Sequence, residues 1–349
     1  MRNHISLFQK IAQELQWTTP WCYQHQWNGE TNSITISGQE RLDAKTTTRT
    51  TRHLMQFIYL YYYLDNHDAI DQVQREKSQT KPIIMLEDPS FTQRLQVANN
   101  GTGYISHGWQ VISIESNGII VQKNRIRLFA QRNEILSTPG NEIQNNETVS
   151  LFMPKDAPYM HPGYYTIIGN EGFFATREVK IVRLYCNILP HYAPDFTEYL
   201  TSLLNDKHIK YSMKILNNPI AYTRPDTVVL YLAYNAAITL WQDLQVLYKQ
   251  KHMAFTHGTP AFAKQLAMGI AVAEEPETED TLRMSFGQHR SFLVAQGLLR
   301  AFQQTSNTAE ERYQSIVDTF CEKKLTVEKP YLNVNGEDVY EVFETEEIE

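Results

Sequence analysis

The chain has 349 residues and a formal net charge of -7, long enough for two or three packed subdomains around a sizeable core. The charge excess lies in one place, because Glu337, Asp338, Glu341, Glu344, Glu346, Glu347 and Glu349 have no base among them and leave the remainder formally neutral. With no basic stripe, a nucleic-acid partner is not expected, and the widely separated Cys22, Cys186 and Cys321 favour reduced thiols and offer no zinc-ligand spacing.

No secretory signal is expected, since Arg2, His4, Lys10 and Glu14 interrupt any apolar run near the start. The most hydrophobic stretch, residues 54–64, is shorter than the roughly 20 apolar residues a bilayer span needs. The expectation is a cytoplasmic protein without membrane association. Apolar spacing predicts helices over residues 7–17 and 51–64, the second rich in Tyr59, Tyr61, Tyr62 and Tyr63, and the polar segment 72–81 reads as an exposed connector. Residues 108–114 and 119–123 flank the turn Ser116-Asn117-Gly118 and predict a β-hairpin. Further strands are predicted at 148–153 and 164–168.

From Lys180 onward, residues 181–188 alternate apolar with polar as a half-buried strand does. A helix over 194–204, strands over 211–216 and 228–232, and helices over 239–249 and 285–303 follow, the last with Ser285 as its N-cap. This order predicts an α+β fold. Its parts are a helical N-terminal region (1–80), a β-rich subdomain (81–179), a mixed α/β subdomain carrying the site (180–330) and an acidic tail (331–349).

The candidate chemistry is cationic. In the strand over 211–216, the period of two puts Ser212 and Lys214 opposite Tyr211, Met213 and Ile215. A single lysine there most simply points to water. Arg224, two residues before Asp226, is either paired with that carboxylate or a forked donor that grips an oxyanion, which a lysine cannot copy; Arg183 has the same two readings. His289 and Arg290 lie near a helix start, where backbone N–H groups and the dipole favour an anion; alternatively they cover core or cap the helix. Gly287 in that first turn costs about 1 kcal/mol of helix propensity relative to Ala unless a close approach is wanted. Several cations with one titratable imidazole suit a phosphorylated substrate. No phosphate-binding loop ending in Lys-Ser/Thr, no Ser flanked by glycines and no His-Glu-x-x-His is present, which argues against a nucleotide-binding kinase, a hydrolase elbow and a zinc helix.

Seven segments together resemble the HopA-type effector family, named for type III secreted proteins of plant-pathogenic bacteria. They are Phe57-Ile58-Tyr59-Leu60-Tyr61-Tyr62, Ala98-Asn99-Asn100-Gly101-Thr102-Gly103 leading to Gly108-Trp109, Pro162-Gly163-Tyr164-Tyr165, Arg183-Leu184-Tyr185-Cys186-Asn187, Lys214-Ile215-Leu216-Asn217, Arg224-Pro225-Asp226 through Leu230-Tyr231-Leu232, and Ser285-Phe286-Gly287-Gln288-His289-Arg290. Each is short, and their colinear order is what makes the resemblance specific. The chain departs from the relatives' Phe-Thr-Lys segment: here Phe255-Thr256 is followed by His257-Gly258.

Relatives in class V lanthipeptide and thioviridamide-like pathways are understood as lyases that act after a separate kinase has phosphorylated Ser or Thr of a precursor peptide. The resemblance implies the same job here, leaving dehydroalanine or dehydrobutyrine, with the phosphorylated precursor, its leader and a separate Ser/Thr peptide kinase as partners. β-Elimination needs a base for the Cα proton, cations for the departing phosphate and an acid for the leaving oxygen. The resemblance and that need together give Lys214 as base, with Lys210 or Lys264 as alternatives. They give His289 as acid with His161 as a second candidate, Arg183, Arg224 and Arg290 as the phosphate cage, and His161, Tyr164 and Lys264 as substrate contacts. No metal or organic cofactor is required. A strand edge near 106–114 is expected to pair with the leader by β-augmentation. The alternative function is a non-catalytic effector-like or phosphopeptide-binding protein of the same fold.

Overall fold

The computed structural model describes residues 3–27, 29–36, 44–67, 87–124, 126–136, 143–158, 160–174, 179–276, 284–304 and 308–344. The connector expected at 72–81 lies outside these residues, as do Glu346, Glu347 and Glu349 of the tail. Helix α1 (His4–Glu14) begins where the Asn3 side chain accepts from the Ser6 N–H, satisfying one of the donors a helix start leaves unpaired. It turns Phe8, Ile11 and Ala12 into the core. The helix stops at Glu14, short of the expected 17, because the following residues pair as strands: β1 (Leu15–Thr19), β2 (Cys22–Trp27) and β3 (Glu30–Thr35) form an antiparallel meander. The N-terminal region is therefore not helical throughout. Helix α2 (Ala44–Ile58) runs straight into a π-helical turn, Tyr59–Tyr63, which stacks Tyr59 on Tyr63 with ring centroids 5.2 Å apart.

After α3 (Pro89–Ala98), capped by Asp88, come β4 (Tyr104–Ile114), β5 (Gly118–Lys123), β6 (Ile126–Gln131), β7 (Ile135–Leu136) and β8 (Thr148–Met153). They form a second sheet in the order β6-β5-β4-β8-β7, with its own core of Trp109, Val111, Ile119, Val121, Val149 and Leu151. The β4–β5 hairpin is the expected one. In the sheet order β4 is an inner strand, but residues 104–110 pair with β8 and residues 110–114 with β5, so the segment expected as an edge at 106–114 is flanked on both sides only around Gln110 and Val111.

The third sheet positions the site. Its strands are β9 (Tyr164–Ile168), β10 (Ile181–Cys186), β11 (Tyr211–Leu216), β12 (Val228–Ala233), β13 (Lys264–Ala267) and β14 (Ile270–Glu274), all antiparallel in the order β13-β14-β10-β12-β11-β9. Strand β9 thus pairs across the boundary drawn at 179. Helices α4 (Ala193–Asp206), α5 (Tyr234–Thr239), α6 (Trp241–Gln250), α7 (Phe286–Gln303) and α8 (Ala309–Glu322) complete an α+β fold of eight α-helices and three sheets among the described residues. Ser285 caps α7 in a capping box with Gln288, whose side chain accepts from the Ser285 N–H. The acidic tail is packed: Tyr340 and Phe343 are buried among Trp241, Tyr234 and Tyr248, and Asp338 pairs with Lys264 and Lys329.

Candidate functional site

Strand register brings distant cations to one face of the third sheet. Arg183 on β10 and Ser212 on β11 both sit opposite Tyr231 of β12, while Lys214 sits opposite Val229 on one side and Thr166 of β9 on the other. Side chains alternate along a strand, so Leu184, Met213, Ile215 and Leu230 take the other face and enter the core. The Tyr231 ring serves two cations, with the Arg183 guanidinium 5.0 Å and the Lys214 ammonium 5.6 Å from its centroid. Lys214 has no ion pair or hydrogen bond among the described residues. Burial, then the charge of Arg183, push its amine down to about 8, with Glu275 opposing.

Arg183 is paired in a fork with Glu275, through a close Nε contact to one carboxylate oxygen and an Nη2–Oε1 distance of 2.7 Å. Arg224 makes the same kind of pair with Asp226, Nη2 to Oδ2 at 2.8 Å, and reaches the Tyr59 hydroxyl at 3.5 Å. The Tyr164 ring centroid lies 5.8 Å from its Cζ. Tyr59 ties the two pairs together: burial and then Asp226 push its hydroxyl up to about 12, against the charges of Arg224 and Arg183. Tyr231 likewise feels Arg183, Glu275 and Asp226. His161 closes the β9 side, its Nδ1 3.2 Å from Thr166 Oγ1. Burial and then Lys214 lower its pKa, so it stands as neutral imidazole near neutral pH.

The structure brings Lys214, Arg183, Arg224, Tyr164 and His161 into one neighbourhood, sets Arg290 within the field of Glu275, and gives Arg290, His289 and Lys264 other partners. Arg290 is fully buried, donating to Pro330 O at 2.7 Å and Leu332 O at 2.8 Å, so its guanidinium fastens α7 to the tail. His289 accepts at Nδ1 from Arg290 Nη1 at 2.7 Å, and burial, Arg290 and Lys323 push its pKa down to about 3. The charges acting on it are thus not those acting on Lys214. Lys264 lies opposite Val272, which pairs with Leu184, and so faces away from Arg183; its amine is 2.7 Å from Asp338 Oδ1. Lys210 precedes β11 and is exposed.

Three further side chains in this neighbourhood were not singled out from sequence. Tyr231 carries a signal in the alternation of β12, which sets it beside Val229 and apart from Leu230. Tyr59 sits within a run of tyrosines whose π-helical winding the residue pattern does not announce. Glu275 carries no signal, since its partner is 92 residues away. Among the described residues no group of three or more His, Cys, Asp or Glu side chains could hold a metal, and no helix is long and apolar enough to cross a membrane.

Residues 155–332 match the model of the HopA1 effector protein family, a span of just over half the chain that includes all six strands of the third sheet. Two solved structures of effector proteins from Pseudomonas syringae are similar. That from pathovar syringae strain 61 is 15% identical and aligns over 84% of this chain and 100% of its own, with a TM-score of 0.44. That from pathovar tomato strain DC3000 is 13% identical and aligns over 81% of this chain and 98% of its own, with a TM-score of 0.41. No curated protein matches the chain.

Proposed function

The chain belongs to the HopA1 effector protein family, and from that premise we propose that it is a lyase eliminating phosphate from phosphoserine or phosphothreonine of a ribosomally made precursor peptide, after a separate kinase. The observation that carries this reading is Lys214: an amine with no ion pair or hydrogen bond among the described residues, lowered to about 8, beside Arg183 on a face it shares with a second guanidinium. A base for a weakly acidic Cα proton must be neutral and still strong, and a partly buried lysine next to a fixed positive charge meets both conditions as pH rises through about 8.

In the proposed step the Lys214 amine takes the Cα proton, the C–H electrons form the Cα=Cβ bond, and the Cβ–O electrons leave with phosphate. Dehydroalanine or dehydrobutyrine and inorganic phosphate result. Arg183 and Arg224 hold the phosphate oxygens through paired N–H donors and stabilise the charge that grows on them. His161 hydrogen-bonds the leaving group. A phosphate dianion beside it favours the imidazolium, so substrate itself supplies conditions for proton donation. These roles call on no metal and no organic cofactor.

The test is incubation of the purified protein with phosphothreonine and phosphoserine peptides, followed by mass spectrometry for loss of phosphoric acid. Lys214→Ala is expected to abolish that loss while keeping the circular dichroism of the parent. Unchanged turnover in this variant would remove Lys214 as base. One observation favours a second reading, a phosphopeptide-binding protein without catalysis: each guanidinium already has a carboxylate partner. Tight phosphopeptide binding with no mass change would select it.

A further inference from the structure

We infer that Glu275 is the group an incoming phosphate displaces from Arg183, and that this exchange makes the site select a dianionic side chain over a monoanionic one. The inference rests on the proposed phosphate site and names what that site discriminates. Arg183 meets Glu275 through Nε and Nη2, the two donors that a phosphate would engage in a fork. Arg183 itself is held in place, being buried beneath Tyr231. An anion that engages this Nε–Nη2 edge in a fork must take the position of that carboxylate.

The two carboxylates of the site are not equivalent. The side chain of Asp226 is 7% exposed, at the entrance to β12, and that of Glu275 is 31% exposed, just past the end of β14. The Glu275 backbone is anchored on both sides, its N–H donating to Ile181 O and its carbonyl accepting from the Asn333 side chain. Rotation about its own side-chain bonds is therefore enough to free Arg183, without moving the strand. Asp226 has no comparable outlet.

Charge decides what can drive the exchange. Arg183 and Arg224 against Glu275 and Asp226 sum to zero, so the empty site exerts no net pull on an anion through these four groups. Replacing one carboxylate by another swaps like for like. A phosphomonoester above its second pKa of about 6 brings up to two charges and three acceptor oxygens, which can satisfy Arg183 and reach Arg224 and Lys214 together. Phosphoserine is thus admitted and glutamate refused.

The experiment compares three peptides of one sequence, carrying phosphoserine, glutamate or serine at one position, by calorimetric titration against the parent and Glu275→Gln at pH 7. The parent is expected to bind the phosphopeptide alone. Glu275→Gln is expected to bind the phosphopeptide about two- to fivefold more tightly, the scale of a partly exposed ion pair, and to acquire measurable affinity for the glutamate peptide. Glu275→Asp, which withdraws the carboxylate while keeping its charge, is expected to shift the same way by less. Unchanged or weaker phosphopeptide binding in both variants, with the glutamate peptide still refused, overturns the inference. Mass spectrometry of the same mixtures separates the two claims: discrimination without phosphate loss sinks the lyase and leaves the selection by Glu275. Phosphate loss with discrimination intact in Glu275→Gln does the reverse, and binding by neither protein sinks both.

Discussion

Lys214 is the residue on which pH should act most directly. Its working form is the neutral amine, so kcat/KM for the phosphopeptide, which reports the free protein, is expected to rise with pH through about 8 and then level off. The charged groups bearing on this lysine are Arg183 and Glu275, and it in turn acts on His161. Removing the negative charge in Glu275→Gln withdraws support from the protonated amine and is expected to move the midpoint to lower pH; an unmoved midpoint would show that the titrating group is not Lys214. Stability has its own sign. The folded pKa lies below the ordinary lysine value of 10.5, so the unfolded chain binds the extra proton, and burial of Lys214 costs stability below about 8 that is recovered as pH rises toward 10.5. Lys214→Met is accordingly expected to raise the melting temperature more at pH 7 than at pH 10. The alternation of the strand over 211–216 was enough to give this lysine its face, but its consequence depends on Arg183, 31 positions earlier.

At the scale of elements, α7 and the π-helical turn show what a single glycine does. A Cβ on Gly287 would lie 2.3 Å from the Tyr63 ring, whose backbone carbonyl is held by the Ala261 N–H. The helix-weakening residue in the first turn of α7 is there because an aromatic ring fills the space. Gly287→Ala is expected to cost about 1–3 kcal/mol in urea unfolding, the range for overpacking a filled core, and to weaken phosphopeptide binding, because Tyr63 stacks on Tyr59 and Tyr59 meets Arg224. Lost stability with unaltered binding would uncouple the turn from the site. The cap at Ser285, the β4–β5 hairpin and the strands around Arg183, Lys214 and Tyr231 were legible because each follows from a local period or turn. The meander at 15–35 was not: its strands are only five or six residues long and carry many Gln, Thr and Asn residues, so little apolar alternation marks them even where β1 and β2 alternate in burial.

At the scale of the whole molecule, the C-terminal segment changes character most between sequence and fold. Its acids marked it only as an acidic tail, yet Tyr340 and Phe343 insert into the main core and Arg290 donates to the carbonyls of Pro330 and Leu332 just before them. Phe343→Ala is expected to lower unfolding free energy by about 3–5 kcal/mol and to open the segment to limited proteolysis; a variant as stable as the parent would mean the packing contributes nothing. Local composition and periodicity carried the α+β class, half of the strands and the presence of several cations in one half of the chain, since these depend on residues a few positions apart. Which cations share a cleft depended on strand order and register: β10, β11 and β12 bring Arg183, Lys214 and Tyr231 together, while packing of α7 against residues 330–332 commits the Arg290 guanidinium to backbone carbonyls, though Glu275 still acts on it. Such partnerships arise between residues tens of positions apart, and their energies depend on neighbours that no short stretch of chain contains.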